Sequence, residues 1–198
     1  MSFELLIAFV VFAVATLFTP GPNNVMLMAS GLNFGFERTL PHVLGVTLGF
    51  GFMVLVVGFG LGAVFAAYPA IYTVVKFAGA AYLVYLAWRI ATAGAAKGEG
   101  GGRPFTFVQA AAFQWVNAKG WVMAIGAVTA YAAVAPYPLN ILLLAGVFTL
   151  FGAASSTTWL LFGTALKRVV SDPRSVTFFN RGMAILLVLS LVPVFLEG

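Results

Sequence analysis

An apolar stretch near the start of the chain is interrupted by two prolines, a glycine and two amides, in the sequence TPGPNN at residues 19–24. Pro20 and Pro22 have no backbone N–H, and each ring clashes with the preceding turn, so nearby carbonyl groups lose their helical partners. In lipid such groups must be satisfied by protein, water or a ligand, so irregular backbone at membrane depth indicates a cavity. A second interruption, QWVNAKG at residues 114–120, follows about half a chain later. Paired broken helices are typical of transporters.

Composition indicates an integral membrane protein, because 62% of the residues are hydrophobic, 8% are charged and the mean hydropathy is +1.06. A spanning helix needs roughly 20 apolar residues. The sequence therefore predicts an all-α membrane protein of six transmembrane helices, the first and fourth broken, at residues 3–29, 40–66, 70–92, 105–132, 139–165 and 177–196. The first helix is expected to be retained rather than cleaved as a signal peptide, since no basic region precedes it.

The glycine-rich segment GAAKGEGGGRP at residues 94–104 is predicted to be a flexible linker. It separates two halves of three spans each, residues 1–93 and 105–198. The two halves are predicted to be distant copies, because both breaks and several glycines align: Thr19-Pro20 with Asn117-Ala118, Gly45 with Gly146, Gly51 with Gly152, and Gly79 with Gly182. A half with an odd number of spans must insert upside down, which predicts an inverted repeat. Chance alignment of glycines in apolar helices is the alternative.

The basic residues predict the topology. Those near the predicted loops lie after the first, third and fifth spans: Arg38; Arg89, Lys97 and Arg103; Lys167, Arg168 and Arg174. The loops after the second and fourth spans have none and contain tyrosines instead: Tyr68 and Tyr72; Tyr131 and Tyr137. Positive charge marks cytoplasmic loops, and aromatic residues mark the membrane interface. The linker is therefore predicted to be cytoplasmic, with both termini outside.

These residues resemble the lysine exporter and homoserine/threonine exporter family of amino-acid efflux proteins. The resemblance lies in TPGPNN at residues 19–24, Gly35-Phe36, LGVTLGF at residues 44–50, GAAYLVYLAWR at residues 79–89 and the break at residues 117–119. The chain looks most similar to the cysteine/O-acetylserine exporter branch. The resemblance implies a multi-pass protein of the bacterial inner membrane and gives the direction of transport. One departure is Ala118, which stands where the family commonly has proline.

The two breaks predict a substrate site between them. Half-helix N-termini suit a carboxylate, and unwound carbonyls and half-helix C-termini suit an ammonium, so together they suit a zwitterionic amino acid. Amide side chains can bind either end of such a molecule. The predicted substrate-binding residues are Thr19, Pro20, Gly21, Pro22, Asn23, Asn24, Asn117, Lys119 and Gly120. The alternative for the asparagines is that they only satisfy backbone groups freed by the kinks.

Two residues are candidates for proton coupling. Lys119 lies about 14 residues from either end of its predicted span, which is roughly 20 Å of helix. A charge at that depth costs about 2.5–3.5 kcal/mol on insertion scales, so it is expected to face a cavity or a partner. His42 follows Pro41 at the predicted cytoplasmic surface, and histidine titrates near neutral pH. The alternatives are structural: a lysine paired with kinked carbonyls, and an interfacial histidine with a satisfied hydrogen bond.

Other functional classes have little support in the sequence. No phosphate-binding glycine loop, metal-ligand cluster or nucleophile–base pair is present, so no enzyme activity, cofactor or metal is expected. No aspartate or glutamate lies deep in a predicted span, which favours a neutral amino acid over a dicationic one. Gly45 and Gly49 have the spacing that allows close helix packing, within the chain or, less often, in a homodimer.

The sequence thus predicts a secondary active exporter of small neutral amino acids or their derivatives, with protons as the expected coupling ion. Alternating access would occur around a site at the membrane midplane. The expected partners are the amino acid, the proton and the lipid bilayer, with no nucleic acid. Two alternatives are a transporter or channel for another small solute or ion, and a membrane subunit that transports nothing.

Overall fold

The computed structural model describes residues 2–61, 67–92, 103–169 and 172–192, and within these ranges the regular structure is entirely helical. The first half contains α1 (Phe3–Phe18), α2 (Pro22–Phe34), α3 (Phe36–Val56), a π-helical segment (Val57–Leu61) and α4 (Pro69–Thr92). The second half contains α5 (Phe107–Gln114), α6 (Ala118–Ala130), a short 3₁₀ turn (Ala132–Val134), α7 (Leu139–Val169) and α8 (Pro173–Leu189). Most of the predicted linker, at residues 94–102, lies outside the described residues.

Length and composition identify membrane-spanning candidates among these helices. Phe36–Gly60 and Leu139–Lys167 are each long and apolar enough to cross a bilayer. The α1–α2 pair passes the same test as one span bent by 51°. Ala118–Ala130 is a shorter apolar helix. The prediction of an all-helical protein with apolar helices is therefore confirmed, whereas the arrangement of six spans as two repeats stays a prediction.

Side-chain caps and a glycine define several helix ends. The Ser2 hydroxyl accepts the N–H of Leu5 at the start of α1, and the Asp172 carboxylate accepts the N–H of Ser175 at the start of α8. Between α2 and α3 the chain turns at Gly35, whose φ of 81° lies in the region that favours glycine. α3 begins at Phe36, four residues before the predicted span. The prediction began later because Glu37 and Arg38, which are charged and exposed, lower the hydropathy of this end of the helix.

Two main hydrophobic clusters hold the helices together. In the first, the rings of Phe9, Phe12 and Phe50 pack against Phe148, which is fully buried on α7. In the second, side chains of α2, α4 and α8 pack together, including Met26, Leu83 and Leu187. Apolar contact of this kind supplies dispersion energy even where lipid has replaced water.

Glycines bring two helix pairs into backbone contact. A Cβ at Gly31 of α2 would be 2.5 Å from the carbonyl oxygen of Leu160 on α7, and a Cβ at Gly163 of α7 would collide with the carbonyl of Met28. α3 approaches α5 in the same way, since a Cβ at Gly49 would be 2.6 Å from the Cα of Ala111. The prediction that the spacing of Gly45 and Gly49 allows close packing within the chain is confirmed.

Candidate functional site

The two helix breaks adjoin each other in the structure. Each is three residues long: one separates α1 from α2, and the other separates α5 from α6. The ammonium of Lys119, in the first turn of α6, donates to the carbonyl oxygen of Thr19 at 3.0 Å and to its hydroxyl at 3.3 Å. The lysine of the second break is therefore bound to the backbone of the first.

A reciprocal pair of amides also joins the breaks. The Asn23 amide donates to Gln114 Oε1 at 2.8 Å, and the Gln114 amide donates to Asn23 Oδ1 at 3.1 Å. Gln114 Nε2 donates as well to the carbonyl of Ala110, at 2.9 Å. Gln114 is fully buried at the end of α5. This pair fixes the start of α2 to the end of α5, and sequence reasoning did not predict it.

A small cavity lies at this junction, with a volume of about 40 Å³ open to the centre of a water molecule. Since one water needs roughly 10–15 Å³ on that measure, the space holds about three. Most of the predicted site residues line it: Gly21, Pro22, Asn23, Asn24, Asn117, Lys119 and Gly120. Thr19 and Pro20 do not line it, although Thr19 binds the lysine. Pro20 is exposed.

Several polar side chains of the cavity are engaged by backbone carbonyls that the first break leaves free. The Asn24 amide donates to the carbonyls of Leu17 and Thr19, at 2.9 and 2.8 Å. Ser155 of α7 donates to the same Leu17 carbonyl at 2.8 Å. The last carbonyls of a helix have no partner within the helix, so these bonds satisfy the end of α1. Asn24 thus satisfies backbone groups that the kink leaves free, which is the structural alternative considered for the asparagines.

Two enclosed side-chain oxygens of the cavity have no hydrogen-bond partner among the described residues, Thr47 Oγ1 and Asn117 Oδ1. Leaving a buried polar atom unpaired costs about 1–3 kcal/mol. Asn117 was predicted as a site residue from the break. Thr47 was not predicted, because a single threonine within an apolar helix gives no local signal of function.

Both half-helices that begin at the junction start without a side-chain cap. Gly21 precedes α2 and Asn117 precedes α6, and neither forms a cap hydrogen bond through its side chain. Their first N–H groups and the positive ends of their dipoles face the breaks. Ala118 occupies the first position of α6, where proline is favoured because no N–H bond is lost there. Alanine at this position leaves the break in place.

His42 lies outside the cavity, and the prediction that it is at a surface is wrong, whereas the side of the membrane on which it lies stays a prediction. It is fully buried within α3, since the helix begins six residues earlier and turns the ring inward. Its Nδ1 is 3.2 Å from the hydroxyl of Ser30, and its ring packs 5.0 Å from that of Phe105. Its Nε2 has no partner among the described residues, and the histidine does not line the cavity.

Within the described ranges, no group of three or more histidine, aspartate or glutamate residues is placed to hold a metal ion. The features of the site are those of a helical membrane protein with a small cavity, lined by both polar and apolar residues, at two broken helices. The chain belongs to the LysE type translocator family, whose profile matches residues 14–194. The resemblance seen in the sequence is therefore confirmed.

Two individual relatives of the chain have the same name. The cysteine/O-acetylserine efflux protein of Salmonella typhimurium is 30% identical over 196 residues, which is 97% of this chain and 96% of the relative. The protein of that name from Escherichia coli K12 is 35% identical over 122 residues. That match covers 60% of this chain and 61% of the relative, so it spans about three fifths of the E. coli protein. No solved structure matches the chain significantly.

Proposed function

We propose that this protein is a secondary active exporter of small neutral amino acids or their derivatives, of the cysteine/O-acetylserine, threonine or homoserine type. The observation that carries the proposal is the cavity where the two breaks adjoin, which combines an ammonium group, two uncapped helix N-termini and an unpaired amide oxygen. A cavity volume near 40 Å³ favours a small amino acid. The names of the relatives support the direction and the substrate class.

The substrate's two charges have complementary groups in the cavity. In the proposed complex, the carboxylate binds the Lys119 ammonium and the N–H groups at the start of α2 or α6. Lys119 exchanges its bonds to Thr19 for bonds to the carboxylate. The substrate ammonium donates to Asn117 Oδ1, which is otherwise unpaired. Each end of the zwitterion then forms charge-assisted hydrogen bonds, which are about twice as strong as neutral ones.

The proposed driving force is the proton gradient across the bacterial inner membrane, with both termini on the outer face. Lys119 and His42 are the proposed proton carriers. Lys119 reaches the cavity directly, whereas His42 is separate from it and has one ring nitrogen without a partner among the described residues. The charged residues close to His42 in sequence are Glu37 and Arg38 on α3, both exposed, and α2 carries no charged residue.

Transport in proteoliposomes tests the proposal. Efflux of radiolabelled cysteine, O-acetylserine, threonine, homoserine, leucine and lysine is measured with and without a proton gradient, for the wild type and for His42→Gln. Gradient-dependent efflux of a short neutral amino acid is the expected result. A folded protein that moves none of them would contradict the proposal and favour a channel for another solute or a non-transporting subunit. If His42→Gln keeps its gradient dependence, His42 is excluded and Lys119 is left as the proposed proton carrier.

Asn117→Ala is expected to lower the affinity for a transported amino acid roughly tenfold to a hundredfold, because an ammonium loses a charge-assisted acceptor worth about 1.5–3 kcal/mol. Its thermal stability is expected to change little, since the lost oxygen has no partner in the structure. Asn33→Ala is the matched control. Asn33 pairs with Asn180 at 2.9 Å outside the cavity, so its loss should lower stability and leave affinity unchanged. An Asn117→Ala protein that exports normally would exclude this asparagine from the site.

Alternating access between two inverted repeats is the proposed mechanism, and the glycine environments support it. A Cβ at Gly45 would collide with the carbonyl oxygen of Phe107, and one at Gly79 with that of Val116, so the first half holds α5 and the second break tightly. The aligned glycines of the second half, Gly146 and Gly182, have no described atom within 4 Å of an added Cβ. Alternating access implies a second conformation, the exchanged state. In it, α1 and the first break would pack onto Gly146 and Gly182, while α5 moves away from Gly45 and Gly79.

Two alanine substitutions are expected to move this equilibrium in opposite directions. Gly45→Ala introduces a clash in the observed state, and Gly146→Ala introduces one only in the exchanged state. Overpacking costs about 1–3 kcal/mol, or roughly a 5- to 150-fold change in the ratio of the states. The chain has no native cysteine, so spin labels on paired cysteines report distances from α3 to α5 and from α1 to α7.

Exposed positions suit these labels: Leu44 with Val108, and Val11 with Leu150. Gly45→Ala should lengthen the first distance and shorten the second, and Gly146→Ala should do the reverse. Gly126→Ala is the control, because Gly126 also has no described atom within 4 Å of an added Cβ and lies on neither proposed contact. Equal distances in all three variants would contradict the exchange of contacts.

A further inference from the structure

The hydroxyl of Thr47 differs from those of most other buried or half-buried threonines in the helices. Six of them donate to the carbonyl oxygen four residues earlier in the chain, at distances of 2.7–2.9 Å: Thr16, Thr39, Thr149, Thr158, Thr164 and Thr177. Such a bond is the usual way for a threonine to satisfy its hydroxyl within a helix. Thr47 is only 6% exposed, and its Oγ1 forms no hydrogen bond with any described residue.

Thr47 lines the cavity from α3, together with Val46 and Phe50. Its two neighbours in this wall are apolar, so its hydroxyl is the polar group that α3 contributes to the cavity. On the opposite sides, Thr16, Asn24 and Ser155 are engaged by backbone carbonyls, and Asn23 is paired with Gln114. Among the described residues that line the cavity, the fully enclosed side-chain oxygens without a partner are those of Thr47 and Asn117.

The ammonium group of a bound amino acid can pair with only one of these two oxygens. In the proposed function, on which this inference rests, Lys119 and the helix N-termini bind the carboxylate, and Asn117 Oδ1 binds the ammonium. A substrate with a short polar side chain has one further group that needs a partner. A hydroxyl can both donate and accept a hydrogen bond, so it can pair with a thiol, a hydroxyl or an ester oxygen.

We propose that Thr47 determines specificity by forming a hydrogen bond with the heteroatom of the substrate side chain. The protein would then prefer amino acids with a thiol, hydroxyl or ester group over apolar amino acids of the same shape. A site with a polar group in a buried position rejects the analogue that leaves this group unpaired. The cavity volume of about 40 Å³ favours a small substrate as a whole.

Binding to the purified full-length protein tests this with matched pairs of ligands. Cysteine is compared with 2-aminobutyrate, in which a methyl group replaces the thiol, and threonine is compared with valine. For each pair that it binds, the wild type is expected to have an affinity for the polar ligand that is roughly tenfold or more higher than for the apolar one. Thr47→Val keeps the shape and removes the hydroxyl, so the ratio should fall to about one, chiefly through weaker binding of the polar ligand. Thr47→Ser keeps the hydroxyl and should retain the preference.

Thermal unfolding without a ligand gives an independent readout. Thr47→Val is expected to unfold at a higher temperature than the wild type, because an unpaired hydroxyl is replaced by a methyl group. A structural threonine would give the reverse result. Should Thr47→Val fail to fold, Thr47→Ala removes the same hydroxyl and should abolish the same preference.

A preserved preference in Thr47→Val or Thr47→Ala would overturn the assignment of Thr47, while amino-acid efflux by the wild type would leave the proposed function intact. If the wild type neither binds nor transports any amino acid of the panel, the proposed function fails and the role of Thr47 fails with it.

Discussion

Lys119→Met is expected to reduce amino-acid efflux by at least about a hundredfold while the protein still folds. The ammonium joins the two helix breaks through Thr19 and lies at the cavity, where the substrate carboxylate is proposed to bind. A hydrogen bond to a charged group is worth about 1.5–3 kcal/mol, which corresponds to a factor of roughly ten to a hundred, and loss of the charge's long-range attraction adds to it. Methionine keeps the length and the apolar stem of the side chain, so packing around it is preserved.

Efflux and unfolding temperature are measured together on Lys119→Met, with Lys167→Met as the control. Lys167 is an exposed lysine near the end of α7, far along the helix from the cavity-lining Ser155 and Ser156. Its replacement removes one positive charge and should leave efflux unchanged. Normal efflux by Lys119→Met would show that this lysine only holds the carbonyl of Thr19, which is the structural alternative seen in the sequence.

Gly163→Ala is expected to destabilise the fold by about 3 kcal/mol, at the upper end of the usual range of about 1–3 kcal/mol for overpacking. The added Cβ would collide with the carbonyl oxygen of Met28, and Gly31 on the facing helix leaves similarly little room against Leu160. The cost is high because a backbone carbonyl cannot rotate away as a side chain can. The α2–α7 contact also holds the first break, so the cavity would change its shape as the helices separate.

Unfolding temperature in detergent is the measurement for Gly163→Ala, and Gly126→Ala serves as its control. Gly126 lies in α6 with no described atom within 4 Å of an added Cβ. Alanine is favoured over glycine in a helix by about 1 kcal/mol, so the control should be slightly more stable than the wild type. Equal stability of the two variants would mean that α2 and α7 are not in backbone contact.

The helix breaks were predictable because their cause is local. Proline lacks an N–H wherever it stands, so TPGPNN interrupts a helix in any surroundings, and α1 and α2 meet there at 51°. Asn117 and Lys119 became candidates for the same reason, since a polar run inside an apolar stretch is visible without coordinates. The cavity contains most of the residues named on this basis.

Contacts between residues that are far apart in the sequence were not predictable from it. Asn23 was expected to bind substrate, yet its amide is paired with Gln114, which is 91 residues away in sequence. His42 was placed at the surface because charged residues precede it, whereas the helix begins earlier and buries its ring. Thr47 was not predicted, because the property that distinguishes it is a hydroxyl without a partner among the described residues.

The sequence by itself determined that the chain is helical, apolar and broken at two points, because hydropathy and proline chemistry act on each segment separately. Only the tertiary structure decided which polar atoms of the described residues are satisfied and which have no partner. A hydrogen bond depends on positions to within a few tenths of an ångström. Those positions result from backbone contacts such as the one between Gly163 and Met28, and no segment contains that information alone.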